Sequence, residues 1–130
     1  MKRKRAISLW LLVALACITL SATAFAGEAN VHHVVLFDMK DDVTPEQVEE
    51  MITVGKALLS KIPGVLEVSF GKKAREDRAI HVKDYDVGLY VKWEKLETGK
   101  VYAPHTLHQT LLKLYRPLWA GVKVIDFYGN

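Results

Sequence analysis

The chain has 130 residues, with 18 Lys and Arg against 15 Asp and Glu, a formal net charge of +3, five histidines and one cysteine. That length holds one domain with at most a short tail and excludes a multidomain enzyme. Half the residues are hydrophobic and 25% are charged, which excludes a disordered chain, while a lone cysteine excludes an internal disulfide framework and a cysteine-based zinc site.

The excess basic charge sits at the start. Lys2, Arg3, Lys4 and Arg5 precede an uncharged run over residues 6–20, followed by S-A-T-A-F-A at residues 21–26. A basic start, an apolar stretch and an A-x-A site make a secretory signal peptide, cleaved after Ala26. A retained membrane anchor is the competing reading, since the run approaches the roughly 18 residues that span a bilayer. The A-F-A site favours cleavage. Cys17 raises lipidation, but Ala14-Leu15-Ala16 lacks the large apolar residue expected three positions before it, and Ile18 and Leu20 continue the apolar run.

Cleavage removes four basic residues and no acidic one, leaving 14 against 15, a net charge of −1, no cysteine and all five histidines. The remaining residues, 27–130, are therefore expected to be periplasmic or secreted, without a nucleic-acid partner and off the membrane. With no disulfide in an oxidising compartment, core packing and dimerisation are left to hold the domain.

Residues 27–30 read as a short polar linker. V-H-H-V-V-L-F-D-M at residues 31–39 is the first strand, rich in β-branched and aromatic residues. Thr44-Pro45-Glu46-Gln47 then signals a helix start: a capping threonine, proline in the first turn, and glutamine to complete a capping box. Val48, Met51, Ile52, Gly55, Leu58, Leu59 and Ile62 follow at helical spacing, and Pro63-Gly64 ends the run. Residues 65–70 predict a second strand, with Leu66, Val68 and Phe70 alternating against Glu67 and Ser69. Residues 71–83 predict a charged loop.

Residues 84–94 predict the third strand, with Tyr85, Val87, Leu89, Val91 and Trp93 on one face. A short helix over residues 96–103 and a longer one over residues 105–119 come next. The longer one aligns Leu107, Leu111, Leu114 and Leu118, Gly121 closes it, and residues 122–128 form the last strand. The order β-α-β-β-α-β predicts an α+β, ferredoxin-like split βαβ domain: an antiparallel four-stranded sheet with helices on one face. In the first strand His33, Val35 and Phe37 share one side and Val34 and Leu36 the other. A sheet apolar on both faces needs a second cover, which a sheet-to-sheet homodimer supplies.

With these features in place, the sequence resembles the stress-responsive A/B barrel (Dabb) domain family, whose members pair as dimeric α+β barrels. The matching features are V-H-H-V-V-L-F, K-D-D-V-T-P-E-Q, K-I-P-G-V-L, then Tyr102, His105 and His108, and the terminal V-I-D-F-Y, spread over residues 31–128. The family commonly shows a tyrosine followed three residues later by His-Pro-x-His. Here the histidine spacing is kept, but Thr106 replaces the proline and Pro104 lies two positions earlier.

The resemblance extends to polyketide cyclases of the family, which close a poly-β-keto thioester by aldol condensation. It implies that His33 is a pocket histidine and that Tyr102 and His108 match a catalytic tyrosine and histidine. A further pocket histidine of those cyclases falls at Val87 here. Most of the family has no established reaction, and fold membership says little about chemistry.

A histidine near its ordinary pKa of about 6.5 removes protons around neutrality, and a tyrosine hydroxyl can hydrogen-bond a developing enolate. The competing reading makes His33 a satisfied core histidine and has Tyr102 and His108 anchor a helix break. His105 and His108, three residues apart, could share a metal with His33, but no carboxylate sits beside them, and His32 must point to the other sheet face. No metal and no cofactor is assigned. Lys72, Lys73, Arg75, Arg78 and Lys83 read as a solvated loop, and Trp93, Trp119, Tyr115 and Phe127 as core and interface.

The expected function is that of an exported, homodimeric Dabb protein, stress-related by family. It would bind a small hydrophobic or aromatic molecule between sheet and helices, touched by His33, Tyr102, His105 and His108. Two alternatives stand. One is a cyclase or lyase with His108 as base and Tyr102 as oxyanion donor, disfavoured because acyl thioesters are cytoplasmic. The other is haem or monooxygenase chemistry, as in related dimeric α+β barrels.

Overall fold

The computed structural model describes residues 27–129, so the expected signal segment and Cys17 lie outside the described residues. The chain runs β1 (Asn30–Met39), α1 (Pro45–Leu59), β2 (Val65–Lys72), β3 (Val87–Trp93), α2 (Leu96–Tyr102), α3 (Thr106–Tyr115), a single 3-10 turn (Arg116–Leu118) and β4 (Trp119–Gly129). The four strands form one sheet in the order β2-β3-β1-β4, every neighbouring pair antiparallel. This is the ferredoxin-like α+β fold that the element order implied. No helix among the described residues is long and apolar enough to cross a membrane.

Helix α1 starts where its capping residues dictate. The Thr44 hydroxyl accepts from the Gln47 N–H at 3.3 Å and the Gln47 side chain accepts from the Thr44 N–H at 2.9 Å, with Pro45 in the first turn. Two backbone donors that the helix itself leaves unpaired are thereby satisfied. Met51, Gly55 and Leu59, one turn apart, form its buried edge. Gly55 is obligatory there, because a Cβ would lie 2.6 Å from the Phe70 ring.

The core lies between the helices and the inner sheet face. Val31, Val35, Phe37 and Met39 of β1 and Val87, Leu89, Val91 and Trp93 of β3 are buried with Met51, Leu59, Leu111 and Tyr115 from the helices. Strand β4 contributes no buried residue. Val122 and Val124, paired with Phe37 and Val35 on the inner face, remain 43% and 51% exposed. The helix layer thus leaves the inner side of β4 open.

Several element boundaries differ from expectation. Helix α3 stops at Tyr115 rather than continuing to residue 119, because Pro117 has no N–H for the next helical bond, so the chain tightens into the 3-10 turn. Within α3 the buried edge is Leu111 and Tyr115, so Leu114 lies off it and is 52% exposed, while β4 begins at Trp119, before Gly121. Strand β3 starts at Val87 instead of residue 84, with the Asp86 carboxylate accepting from the Met39 N–H at 2.8 Å. Strand β2 runs on to Lys72, and a register shift between Val65 and Glu67 turns Leu66 outward, where it is 56% exposed. An inserted residue resets the two-residue alternation, so Leu66 cannot share the face of Val68 and Phe70.

Candidate functional site

The site grows from the end of β3. Trp93 is buried on the inner face, and α2 lies close upon it because Gly99 has no side chain: a Cβ there would stand 2.9 Å from the indole. Helix α2 ends at Tyr102, whose ring centroid lies 5.2 Å from that of Trp93. The break to α3 is held by the His105 imidazole, whose Nδ1 accepts from the Leu107 N–H at 3.2 Å. In the first turn of α3, the His108 ring lies tilted against Tyr102, centroids 4.6 Å apart. His33 of β1 completes the group, its ring 4.6 Å from Trp93 and 5.7 Å from Tyr102.

These side chains line a cleft of about 250 Å³ walled by Phe37, Leu89, Leu111, Leu112 and Trp119 and opening beside Val122 and Val124 of β4. The structure brings together His33, Tyr102 and His108 from three separate elements. It places His105 outside the cleft as the cap of α3, with its Nδ1 lone pair already used. Among the described residues no cluster of three or more His, Cys, Asp or Glu side chains is arranged to hold a metal ion. Val87 is buried and faces a different hollow, so the missing histidine is not a gap in the cleft lining.

The hydrogen bonds determine which atoms are chemically free. A backbone carbonyl only accepts, so His108 Nδ1, 2.9 Å from the Ala103 oxygen, carries its proton and donates it. In the neutral ring Nε2 then holds a lone pair. Gln109 donates to the same carbonyl at 2.7 Å and steadies it. Burial pushes the His108 pKa below the ordinary histidine value, the Ala103 bond works in the opposite direction, and nearby His33 adds to the lowering. His108 is therefore a neutral base at neutral pH. Burial raises the Tyr102 hydroxyl well above the usual tyrosine range, so it stays protonated as a donor.

His33 Nδ1 lies 2.6 Å from the Asp126 carboxylate, a partner on β4 directly across the strand pair. Asp126 is a candidate site residue that the sequence reading passed over. Its signal was an acid within the apolar run V-I-D-F-Y. Trp93 is a core residue and Trp119 packs against the core, as expected, and both also wall the cleft. His32, next in sequence to His33, points to the outer face, where Nδ1 meets the Tyr90 hydroxyl at 2.8 Å.

The basic stretch is partly paired with nearby acids. Lys72 pairs with Glu49 at 2.5 Å, Lys73 with Glu76 at 2.7 Å and Arg75 with Asp77 at 2.8 Å. Such exposed pairs stabilise little.

Fold and site together define a ferredoxin-like α+β domain carrying an apolar, histidine-bearing cleft between its sheet and its helices. The chain belongs to the stress responsive A/B barrel domain (Dabb) family, which matches residues 31–128. It is 28% identical over 101 residues to olivetolic acid cyclase of Cannabis sativa, covering 75% of this chain and 94% of the cyclase. It is also similar to a dimeric ferredoxin-like protein of unknown function from Thermobifida fusca (TM-score 0.67, 26% identity, 78% of this chain and 92% of that one). Hydroxynitrile lyase from Passiflora edulis shares the fold (TM-score 0.67, 18% identity, 80% and 95% coverage). Such a spread of names on one fold leaves chemistry to the individual site.

Proposed function

We propose that this chain is an exported, homodimeric Dabb protein that binds a small hydrophobic or aromatic molecule in the cleft between its sheet and helices. The observation that carries the reading is the convergence of His33, Tyr102 and His108 on one apolar cleft of about 250 Å³. Aromatic walls from Trp93, Phe37 and Trp119 suit a flat ring, and a few fixed polar groups set its orientation. The Tyr102 hydroxyl donates to an oxygen on the ligand, with His108 Nε2 accepting from a ligand hydroxyl. The homodimer is supported by the dimeric description of the Thermobifida relative. Its natural interface is the outer face of the sheet, where Ile125 and Phe127 are 56% and 49% exposed.

Titrating 4-nitrophenol against the protein tests this, because Trp93 and Trp119 line the cleft and report its occupancy by fluorescence quenching. Saturable quenching is expected, with Tyr102→Phe weakening affinity about tenfold, or about 1.4 kcal/mol, for one lost hydrogen bond. Absence of saturable quenching, together with no molecule retained in native mass spectrometry, would discard the reading. Export rests on the basic start, apolar run and A-F-A site. N-terminal sequencing of protein recovered outside the cytoplasm should begin at Gly27.

A second reading is favoured by the state of His108. A neutral imidazole with Nε2 free, beside a protonated tyrosine, is the equipment for removing a proton next to a carbonyl and stabilising the enolate. The cyclase relative points the same way. His108→Ala and Tyr102→Phe should then each abolish turnover of a β-keto thioester while leaving Tm nearly unchanged. Loss of stability in step with activity would return both residues to a structural role.

A further inference from the structure

We infer that Phe37 and Trp119 form a wall that ends the cleft and restricts its ligand to a single ring carrying a short substituent. This rests on the ligand-binding reading above and adds the size class of the ligand. The inner face of the sheet carries two hollows rather than one. The cleft takes Phe37 and Leu89 as lining, whereas an open groove of about 480 Å³ takes Met39 and Val87, the next inward-facing positions on the same two strands. Only one row of side chains divides them.

Trp119 stands at that division. In the β1–β4 register it lies opposite Met39, which lines the groove, while Trp119 itself lines the cleft. The ring packs on Phe37 at 4.6 Å, tilted by 44°, and Phe37 in turn meets Phe70 at 5.7 Å. The indole N–H donates to the Met51 sulfur at 3.1 Å, tying the ring to the fully buried edge of α1. An aromatic held from the sheet side, the helix side and its own strand does not swing aside at low cost, because a packed interior has few alternative rotamers to offer. The groove beyond it carries Lys72 and Lys73 at its rim, out of reach of anything confined to the cleft.

A series of 4-alkylphenols from ethyl to octyl, measured by calorimetry, tests the wall. In the wild-type protein each added methylene should tighten binding about fourfold while it is buried, which is about 0.8 kcal/mol per group, and the gain should stop within three or four carbons. Trp119→Ala should move that stop outward by at least three carbons, so that the hexyl compound binds the variant more than tenfold tighter than it binds the wild type. Phe37→Leu should move it in the same direction by a smaller step. Circular dichroism confirms that each variant is folded, and Phe37→Leu keeps the test available if Trp119→Ala is not. An unchanged stop in a folded variant that still binds ethylphenol overturns the wall while leaving the binding reading intact. Failure of every alkylphenol to bind the wild type overturns the binding reading itself. Independently of any ligand, a crystal structure of Trp119→Ala with the two hollows still separate overturns the wall.

Discussion

His32 and His33 are neighbours in β1, yet they live on opposite faces of one sheet. His33 is stacked on Trp93, paired with Asp126 and set edge-on to Tyr102, inside a cleft that the chain builds for itself. His32 stacks on Phe127 at 4.9 Å and meets the Tyr90 hydroxyl, with Lys92 directly across the strand pair. Its surroundings are a half-exposed apolar patch with no helix above it. Each face also holds one buried nitrogen with no partner among the described residues, Trp93 Nε1 within and His32 Nε2 without. The pair shows that residue type decides little here. Strand alternation assigns each histidine a face, and the face assigns its surroundings: the inner one is covered over β1 and β3 by the chain's own helices, and the outer one is the face proposed above to meet a second copy.

The sharpest test of that division is stability. Met51→Ala, on the inner side, should lower the unfolding free energy by about 2–5 kcal/mol in chemical denaturation, because Met51 is fully buried and a cavity would remain. Phe127→Ala on the outer side should cost under about 1 kcal/mol when the chain is diluted to monomer, since surface changes seldom exceed that. Equal losses would erase the distinction between the faces.

Association comes next. Replacing Ile125 and Phe127 together by Glu should weaken the dimer at least about a hundredfold, some 2.7 kcal/mol, by placing charge in an apolar interface. Analytical ultracentrifugation should then find folded monomers at concentrations where the wild type is dimeric. A dimer of unchanged affinity would move the interface elsewhere.

The smallest effect is on pH dependence. Burial lowers the His108 pKa in the folded state, so between that lowered value and the ordinary pKa of about 6.5 the unfolded chain binds more protons. Stability should therefore fall as pH drops from 7.5 to 5.5, and His108→Gln should flatten that slope in urea midpoints. A slope unaltered by the substitution would assign it to other groups.

Much of the fold was legible in the residues. The Thr44–Gln47 capping box, the alternation in residues 31–39 and 87–93, and the order of elements all carry local physical meaning, and each element forms where its chemistry directs. The misreadings are local too. Pro117 was overlooked as a helix stop, and a bulge after Val65 is invisible to a count that assumes strict alternation. Of the candidate site, Tyr102, His108 and His33 stood out as polar residues in apolar elements, but His105 belongs to a cap and Asp126 escaped notice.

What the sequence determined by itself was the set of elements, the two-sided character of β1 and a supply of histidines. Those follow from short-range rules: hydrogen-bond caps, side-chain periodicity and the limits of proline. Which histidines share a cleft was decided only by the tertiary structure. His33 and Asp126 are far apart along the chain and meet only because β4 returns beside β1. The free nitrogen of His108 depends on a carbonyl released where α2 ends, and the end of the cleft depends on an indole held by a methionine from another helix. Contacts between distant segments arise from how surfaces fit when apolar area is buried, and no spacing along the chain encodes that fit.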